Sequence, residues 1–226
     1  MLDSGLNGAT VYNLGINQEV SWDIDMVTRG CHIYQYDHTI DAPPFEHPNV
    51  HFSKLGIASA NSDDGVFKTV AHILDKNGHT ENRDLVLNMD IEGDEWNILS
   101  HIEESTLEQF SQIVIEFHDL LKVWSLPHLE KVVAALAKLN KAHQVIHVHA
   151  NNFGHVGLFG GIVLYESIEV TYVRKADHSF GPCDKIFPIP LDRPNDPARL
   201  DYLLGALGQM PPTYYEALGG AVAGQR

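Results

Sequence analysis

Residues 85–99 read LVLNMDIEGDEWNIL, from Leu85 to Leu99. Leu85, Val86, Leu87 and Met89 make an apolar run of strand length. Trp96, Ile98 and Leu99 fall on the apolar side of a helix. Between the two runs stand Asp90, Glu92, Asp94 and Glu95. Acids in a first helical turn interact favourably with the positive end of the macrodipole, by about 0.3–1 kcal/mol each. That accounts for Glu95 and for Asp94, which also suits an N-cap. It does not account for Asp90 and Glu92, which fall at the strand end and in the loop. In open α/β sheets, ligands bind outside the carboxyl ends of the strands. An acidic strand-to-helix corner is therefore a candidate site.

The same alternation extends in both directions. Residues 11–14 form an expected first strand, closed by Gly15. Residues 19–29 carry Val20, Ile24 and Val27 at helical spacing and stop at Gly30. A second strand spans 33–36 and ends at Asp37; Pro43, Pro44 and Pro48 make the next stretch a loop. A third strand spans 50–55, before Gly56. Ser62-Asp63-Asp64-Gly65 reads as a turn opening a helix that runs to about Lys76. Beyond the corner come a helix at 94–102, a strand at 112–117 and a long amphipathic helix at 126–141. Strands at 145–148 and 167–173 follow. Strands alternating with helices imply one α/β domain over 1–226, a mostly parallel, doubly wound sheet. Residues 182–226 are proline-rich at their start. They are expected to form a C-terminal extension packed on the body, with a short helix at 197–207 and a frayed end at 219–226.

Charge bounds the partners. Lys plus Arg total 15 against 30 for Asp plus Glu, a formal charge of −15. Such a surface repels phosphate backbones, so no nucleic-acid partner is expected. No apolar run approaches the roughly 20 residues of a membrane span. Cys31 and Cys183 give neither a disulfide framework nor zinc spacing. The opening Met1-Leu2-Asp3-Ser4 does not read as a signal peptide, and a cytoplasmic setting is expected.

The strand ends carry the chemistry. Gly15 precedes Asn17 in a loop that is not GxGxxG. Asp37 follows Gly15 by roughly the 20 residues at which nucleotide-binding sheets place an acid on ribose hydroxyls; the alternative is an Asx turn into His38-Thr39. The run 54–59, KLGIAS, offers small residues against which an adenine could lie; the alternative is an ordinary tight turn. Strand parity puts Glu116 and His118 together, opposite Phe117. A glutamate in so apolar a run is costly to bury unpaired, so Glu116 is expected to be shielded and polar-partnered. Parity also groups His147, His149 and Asn151, with Asn152 beyond. With the fifth and sixth strands as neighbours, Asp90, Glu92, Glu116, His118, His149 and Asn151 would line one cleft.

Asp-Ile-Glu-Gly-Asp-Glu-Trp at 90–96, followed by Ile98-Leu99, resembles the signature of the FkbM-like S-adenosylmethionine-dependent methyltransferases. LGINQEVSWD (14–23), YQYDHTI (34–40) and HFSKLGIAS (51–59) resemble that family's cofactor half. VIEFHDL (114–120), IHVHANNFG (146–154) and IEVTYVRK (168–175) resemble its later strands. The likeness covers residues from about 10 to 195. Relatives carry a further segment before the first strand, so a truncated or minimal member is expected. The resemblance implies a Rossmann-like methyltransferase sheet with an antiparallel seventh strand near the sixth. It implies S-adenosylmethionine as cofactor, held at Gly15, Asn17, Asp37 and Ala58. It implies O-methylation of a small molecule: a sugar, a polysaccharide component or a natural-product precursor. Methyl transfer is an in-line displacement, for which positioning does much of the work. A hydroxyl acceptor gains from a general base, and His118 or His149 is the candidate, with Asp90, Glu92 and Asn151 beside it. Asp90, Glu116 and His118 also suit a divalent ion such as Mg or Mn, which would orient the acceptor. Two other classes compete. A nicotinamide oxidoreductase lacks its GxGxxG and Tyr-xxx-Lys here, and a non-catalytic module has no use for buried Glu and His.

Overall fold

The acidic corner forms where the sequence places it: a strand Leu85–Met89 runs into a helix Glu95–His101. The computed structural model describes residues 1–3 and 5–206. Among these residues one sheet has seven strands: β1 (Thr10–Leu14), β2 (His32–Tyr36), β3 (Val50–Ser53), β4 (Leu85–Met89), β5 (Phe110–Phe117), β6 (His143–Ala150) and β7 (Ile168–Arg174). Their order is β3-β2-β1-β4-β5-β7-β6, and β7 runs antiparallel to both neighbours while the other pairs are parallel. This is the Rossmann-like methyltransferase sheet that the resemblance implied. β4 lies in the middle of the sheet, and its Leu85, Val86 and Leu87 are at most 1% exposed. A strand covered on both faces reads as a continuous apolar run, which is how it appears in the sequence.

The helices divide unevenly. α1 (Ser21–Thr28) lies on one face, with Met26 packed against Val11, Ile33 and Val86. The opposite face carries α2 (Val70–Lys76), α3 (Glu95–His101), α4 (Glu104–Leu107) and α5 (Leu126–Ala142). Trp96, Leu99, Val132, Ala135 and Leu139 of these helices pack with Leu87, Ile113, Ile115 and Tyr172 of the sheet. Pro127 sits in the first turn of α5, where its missing N–H costs nothing. No helix among the described residues is long and apolar enough to cross a membrane.

Several local expectations are corrected. α1 turns Asp23 inward, 2% exposed, and leaves Ile24 47% exposed. The sheet beneath it is polar: Asn13 and Gln35 both donate to the Asp23 carboxylate, and Asn88 donates to Asn13. The third strand stops at Ser53. Gly56–Ile57 then pairs with Phe67–Lys68 in a separate two-stranded unit, so no helix starts at Ser62. Asp64 instead accepts the Val66 N–H in a turn, and α2 begins at Val70, capped by the Thr69 hydroxyl on the His72 N–H at 3.1 Å. Asp94 occupies the N-cap of α3 without a side-chain capping bond. β5 and β6 are not neighbours, because β7 lies between them. The helix expected at 197–207 is absent through residue 206. Asn152 holds that segment by bonds to the backbone of Asp196 and Leu200, and Gly205–Ala206 pairs with Ile186–Phe187. Residue 207 and the end expected to fray lie outside the described residues.

One glycine is fixed by contact. Gly15 has φ +78°, and a Cβ there would stand 1.7 Å from the Asp90 carbonyl oxygen. Gly15→Ala should therefore prevent normal folding. Gly78→Ala, at φ +73° with nothing within 4 Å, should cost only the left-handed conformational penalty of about 1–2 kcal/mol. Urea unfolding of the two variants measures the difference.

Candidate active site

Strand order reverses between β1 and β4, and a cavity of about 570 Å³ opens there over the carboxyl ends. Its size is that of an ordinary small-molecule site. Gly15, Asn17, Asp37, Asp90 and Glu92 line it, so three of the four expected cofactor residues meet there beside the acidic corner. His38, Ile57 and Phe67 form another part of the wall, with the His38 and Phe67 ring centroids 4.8 Å apart. Ala58 is not part of this wall. The pairing of Gly56–Ile57 with Phe67–Lys68 carries it past the cavity, and it lines a separate space of about 130 Å³ beside Ser59 and Ile98.

Asp37 has a different set of partners from a ribose. One carboxylate oxygen accepts the Ile16 and Asn17 N–H groups, each at 2.9 Å; the other accepts the Thr39 N–H and hydroxyl at 2.7 and 2.6 Å. A carboxylate has about four lone-pair sites, and all are used. Burial alone would raise this acid, but the bonds from Thr39, Asn17 and Ile16 hold it down at about 2. Asp37 clamps the Gly15 loop to the end of β2.

A second cavity of about 510 Å³ lies over the ends of β4, β5 and β6, lined by Asp90, Glu92, Glu116, His118, Asn151 and Glu166 among others. Asp90 and Glu92 border both cavities. Glu116 is shielded and partnered, as parity required: its side chain is 14% exposed and accepts from Asn151 Nδ2 at 2.7 Å. His118 Nε2 stands 3.7 Å from Asp90 Oδ1, 3.6 Å from Glu92 Oε2 and 3.7 Å from Glu116 Oε1, while its Nδ1 lies 3.1 Å from Glu95 Oε1. Burial disfavours the imidazolium, but the hydrogen bond and charge of Glu95, then Glu116 and Asp90, hold it at about 9. Asp90 is pushed up to about 7, by burial first and then by Glu116. Asp90, Glu95 and His118 bring one donor atom each within 4.8 Å of the others. The sequence reading had Glu116 in this set, where the structure groups Glu95 with Asp90 and His118.

Backbone strain gathers at the same place. Asn17, Glu92 and Asp119 have φ of 51°, 60° and 63°, and they are the non-glycine residues with positive φ among those described. Asn17 borders the first cavity, Asp119 the second and Glu92 both. Left-handed non-glycine residues cost on the order of 1–3 kcal/mol and cluster at functional sites.

His149 belongs elsewhere. Register places Glu169 of β7 between Glu116 and His149, so two strand spacings, roughly 9–10 Å, separate the latter pair. His149 lies between Glu169 Oε2 at 3.2 Å and Asp201 Oδ2 at 3.0 Å. The Glu169 hydrogen bond leads the causes that raise it to about 9. A histidine already carrying its proton cannot act as a base. His149 instead ties the 186–206 segment to the sheet, as His147 does through Asp192 at 3.0 Å.

Sequence reasoning missed Glu95 as a site residue, along with Phe67, Glu169 and Asp201. Only Glu169 had a usable signal: Glu169 and Thr171 alternate with Ile168, Val170 and Tyr172.

No family model matches the chain, and no curated protein is similar to it. Solved structures with a related arrangement include a fibrillarin/Nop5p complex, 11% identical over 74% of this chain and 73% of that one, with a TM-score of 0.43. A predicted O-methyltransferase from Agrobacterium tumefaciens is 8% identical over 77% of both chains, with a TM-score of 0.41. An S-adenosylmethionine-dependent methyltransferase, described as putative, from Listeria monocytogenes is 7% identical over 76% of this chain and 92% of that one, at 0.43. Likenesses this remote carry no function across to this chain.

The His149 cluster makes a stability prediction. Its folded-state value lies above the ordinary 6.5, so the stabilisation is complete below pH 6.5 and is lost as pH rises through about 9. His149→Gln should cost about 2 kcal/mol at pH 6.5, less than the roughly 3–5 of a fully buried pair because Glu169 is partly exposed. Urea unfolding at pH 6.5 and pH 10 should show the gap between wild type and variant narrowing at the higher pH.

Proposed function

We propose that the chain is an S-adenosylmethionine-dependent O-methyltransferase of the FkbM-like kind, with the cofactor in the first cavity and a small hydroxylated acceptor in the second. One observation carries this reading: the cavity at the strand-order reversal and its neighbour over β4, β5 and β6 share Asp90 and Glu92, and neither is lined by Lys or Arg among the described residues. A cation fits such a lining. S-adenosylmethionine brings a sulfonium and an ammonium, and when bound it supplies an activated methyl group. A nicotinamide dinucleotide brings a pyrophosphate, which needs cations or a helix N-terminus and would meet Glu19, Asp37, Asp90, Glu92 and Asp94 instead. The acidic second cavity likewise disfavours a phosphorylated acceptor, leaving an uncharged sugar or natural-product hydroxyl as the favoured class.

The roles follow from protonation. His118 holds its proton at neutral pH and cannot take the acceptor's. Asp90, at about 7, is poised as the base. With the cofactor bound, the methyl group it supplies would go to the acceptor oxygen while the hydroxyl proton passes to Asp90, and the demethylated cofactor would leave. Asn151 fixes Glu116, and the imidazolium of His118 keeps Asp90, Glu92 and Glu116 from repelling one another apart.

Calorimetry should show binding of S-adenosylhomocysteine and none of NAD or NADP; the reverse pattern overturns the reading, and binding of neither favours a non-catalytic module. In methyl-transfer assays over hydroxylated small molecules, kcat should rise with pH as Asp90 ionises near 7 and fall as His118 deprotonates near 9. Asp90→Asn should lower kcat by roughly 10²–10⁴-fold and abolish the acid limb.

A further inference from the structure

Glu95 is fully buried, although it sits in the first turn of α3, where an acid ordinarily faces water. Its Oε1 accepts the Ile91 N–H at 3.1 Å and the Gly93 N–H at 3.2 Å, and it meets His118 Nδ1 at 3.1 Å. Its Oε2 is buried with no hydrogen-bond partner. The next residue of the helix acts on the same histidine: Trp96 Nε1 donates to the His118 carbonyl at 2.6 Å. Both the backbone and one ring nitrogen of His118 are thereby held by α3. The other ring nitrogen is left directed at the second cavity, among Asp90, Glu92 and Glu116. A carboxylate on one imidazole nitrogen sets the tautomer and orientation of the ring, and so what the other nitrogen presents.

We propose that Glu95 is the positioning residue of the acceptor site, fixing the His118 ring so that Nε2 projects between Asp90, Glu92 and Glu116. Glu95 touches no substrate and acts through His118. The naming of this space as an acceptor site rests on the methyltransferase reading; the coupling of Glu95 to His118 does not. Four acids face the ring: Asp90 from the end of β4, Glu92 from the loop, Glu95 from α3 and Glu116 from β5. Glu169 of β7 acts at one remove, through Glu116.

Glu95→Gln keeps an oxygen for the Ile91 and Gly93 N–H groups and removes the charge. The His118 ring is titrated by NMR in wild type, Glu95→Gln and Glu92→Gln, with S-adenosylhomocysteine binding measured on each. The His118 midpoint should fall by about one unit or more in Glu95→Gln, and by less in Glu92→Gln, whose carboxylate is 83% exposed. The alkaline limb of kcat should move down with it, while KM for S-adenosylmethionine changes little. An unchanged midpoint in folded Glu95→Gln overturns the proposal. If that variant does not fold, the wild-type protein still decides: a slowly exchanging Nδ1 proton on His118 supports the bond, and a freely exchanging one overturns it. Loss of S-adenosylhomocysteine binding in wild type would remove the methyltransferase reading and leave the histidine result standing.

Discussion

The end of β1 lies so close to the end of β4 that no side chain fits between them, and the site is built around that contact. Gly15 packs its α-carbon against the Asp90 carbonyl. The Gly15 N–H bonds the Tyr36 carbonyl at 2.9 Å, and the Asp90 N–H bonds the Leu14 carbonyl at 2.9 Å. Three strand ends are thereby joined by backbone alone. Asp37 completes the joint from β2 by taking the Ile16 and Asn17 N–H groups. The floor of the first cavity is then main chain, open enough for a ligand to approach. Asp90 leaves this joint with its side chain on the border between the two cavities. Had Gly15 been any larger residue, β1 and β4 would separate, and Asp90 would lose its fixed direction.

The two faces of the sheet do different work. α2, α3 and α5 cover one face with an apolar core, which supplies most of the hydrophobic drive. The other face carries Asn13, Gln35, Asn88, Glu116, Glu169, His147 and His149 beside a smaller apolar patch of Val11, Ile33 and Val86 under Met26, and an apolar cover over the polar groups would leave them unpaired. The chain meets them with charge. Asp23 comes down from α1 onto Asn13 and Gln35, while Asp192 and Asp201 come from the C-terminal segment onto His147 and His149. Buried polar groups that find partners specify geometry more than they add stability. The apolar face holds the domain together, and the polar face fixes where α1 and the 186–206 segment sit.

The sequence revealed what depends on period and corner, and concealed what depends on order in space. The buried run of β4, the amphipathic α5 and the parity of Glu116 with His118 follow from side-chain alternation, which is local. The insertion of β7 between β5 and β6 has no local mark, and it separated His149 from His118. Val20, Ile24 and Val27 set the expected apolar spacing of α1, yet Asp23 is the residue turned inward, because the polar sheet beneath it is assembled from three distant strands. The helix expected at 197–207 was overridden, through residue 206, by Asn152, a residue about 45 positions away whose bonds to the backbone of Asp196 and Leu200 only the fold can arrange. Glu95 was visible but misassigned. A dipole-stabilising acid and a buried histidine anchor occupy the same first turn, and only burial tells them apart.

The acids at the corner have a common electrostatic reason in the proposed reaction. Methyl transfer to a neutral hydroxyl moves positive charge from one cavity toward the other. Residues that held the charge only in the first cavity would favour the starting state over the transition state and slow the reaction. Asp90 and Glu92 border both cavities, so they remain beside the charge as it moves, and Glu116 waits on the acceptor side. When the proton reaches Asp90, a carboxylate that burial and then Glu116 push up to about 7 becomes neutral, and the repulsion from Glu116 is relieved. The crowding of like charges is then part of what drives the proton onto Asp90. His118, held by Glu95, keeps that crowding from dispersing the loop before the acceptor arrives.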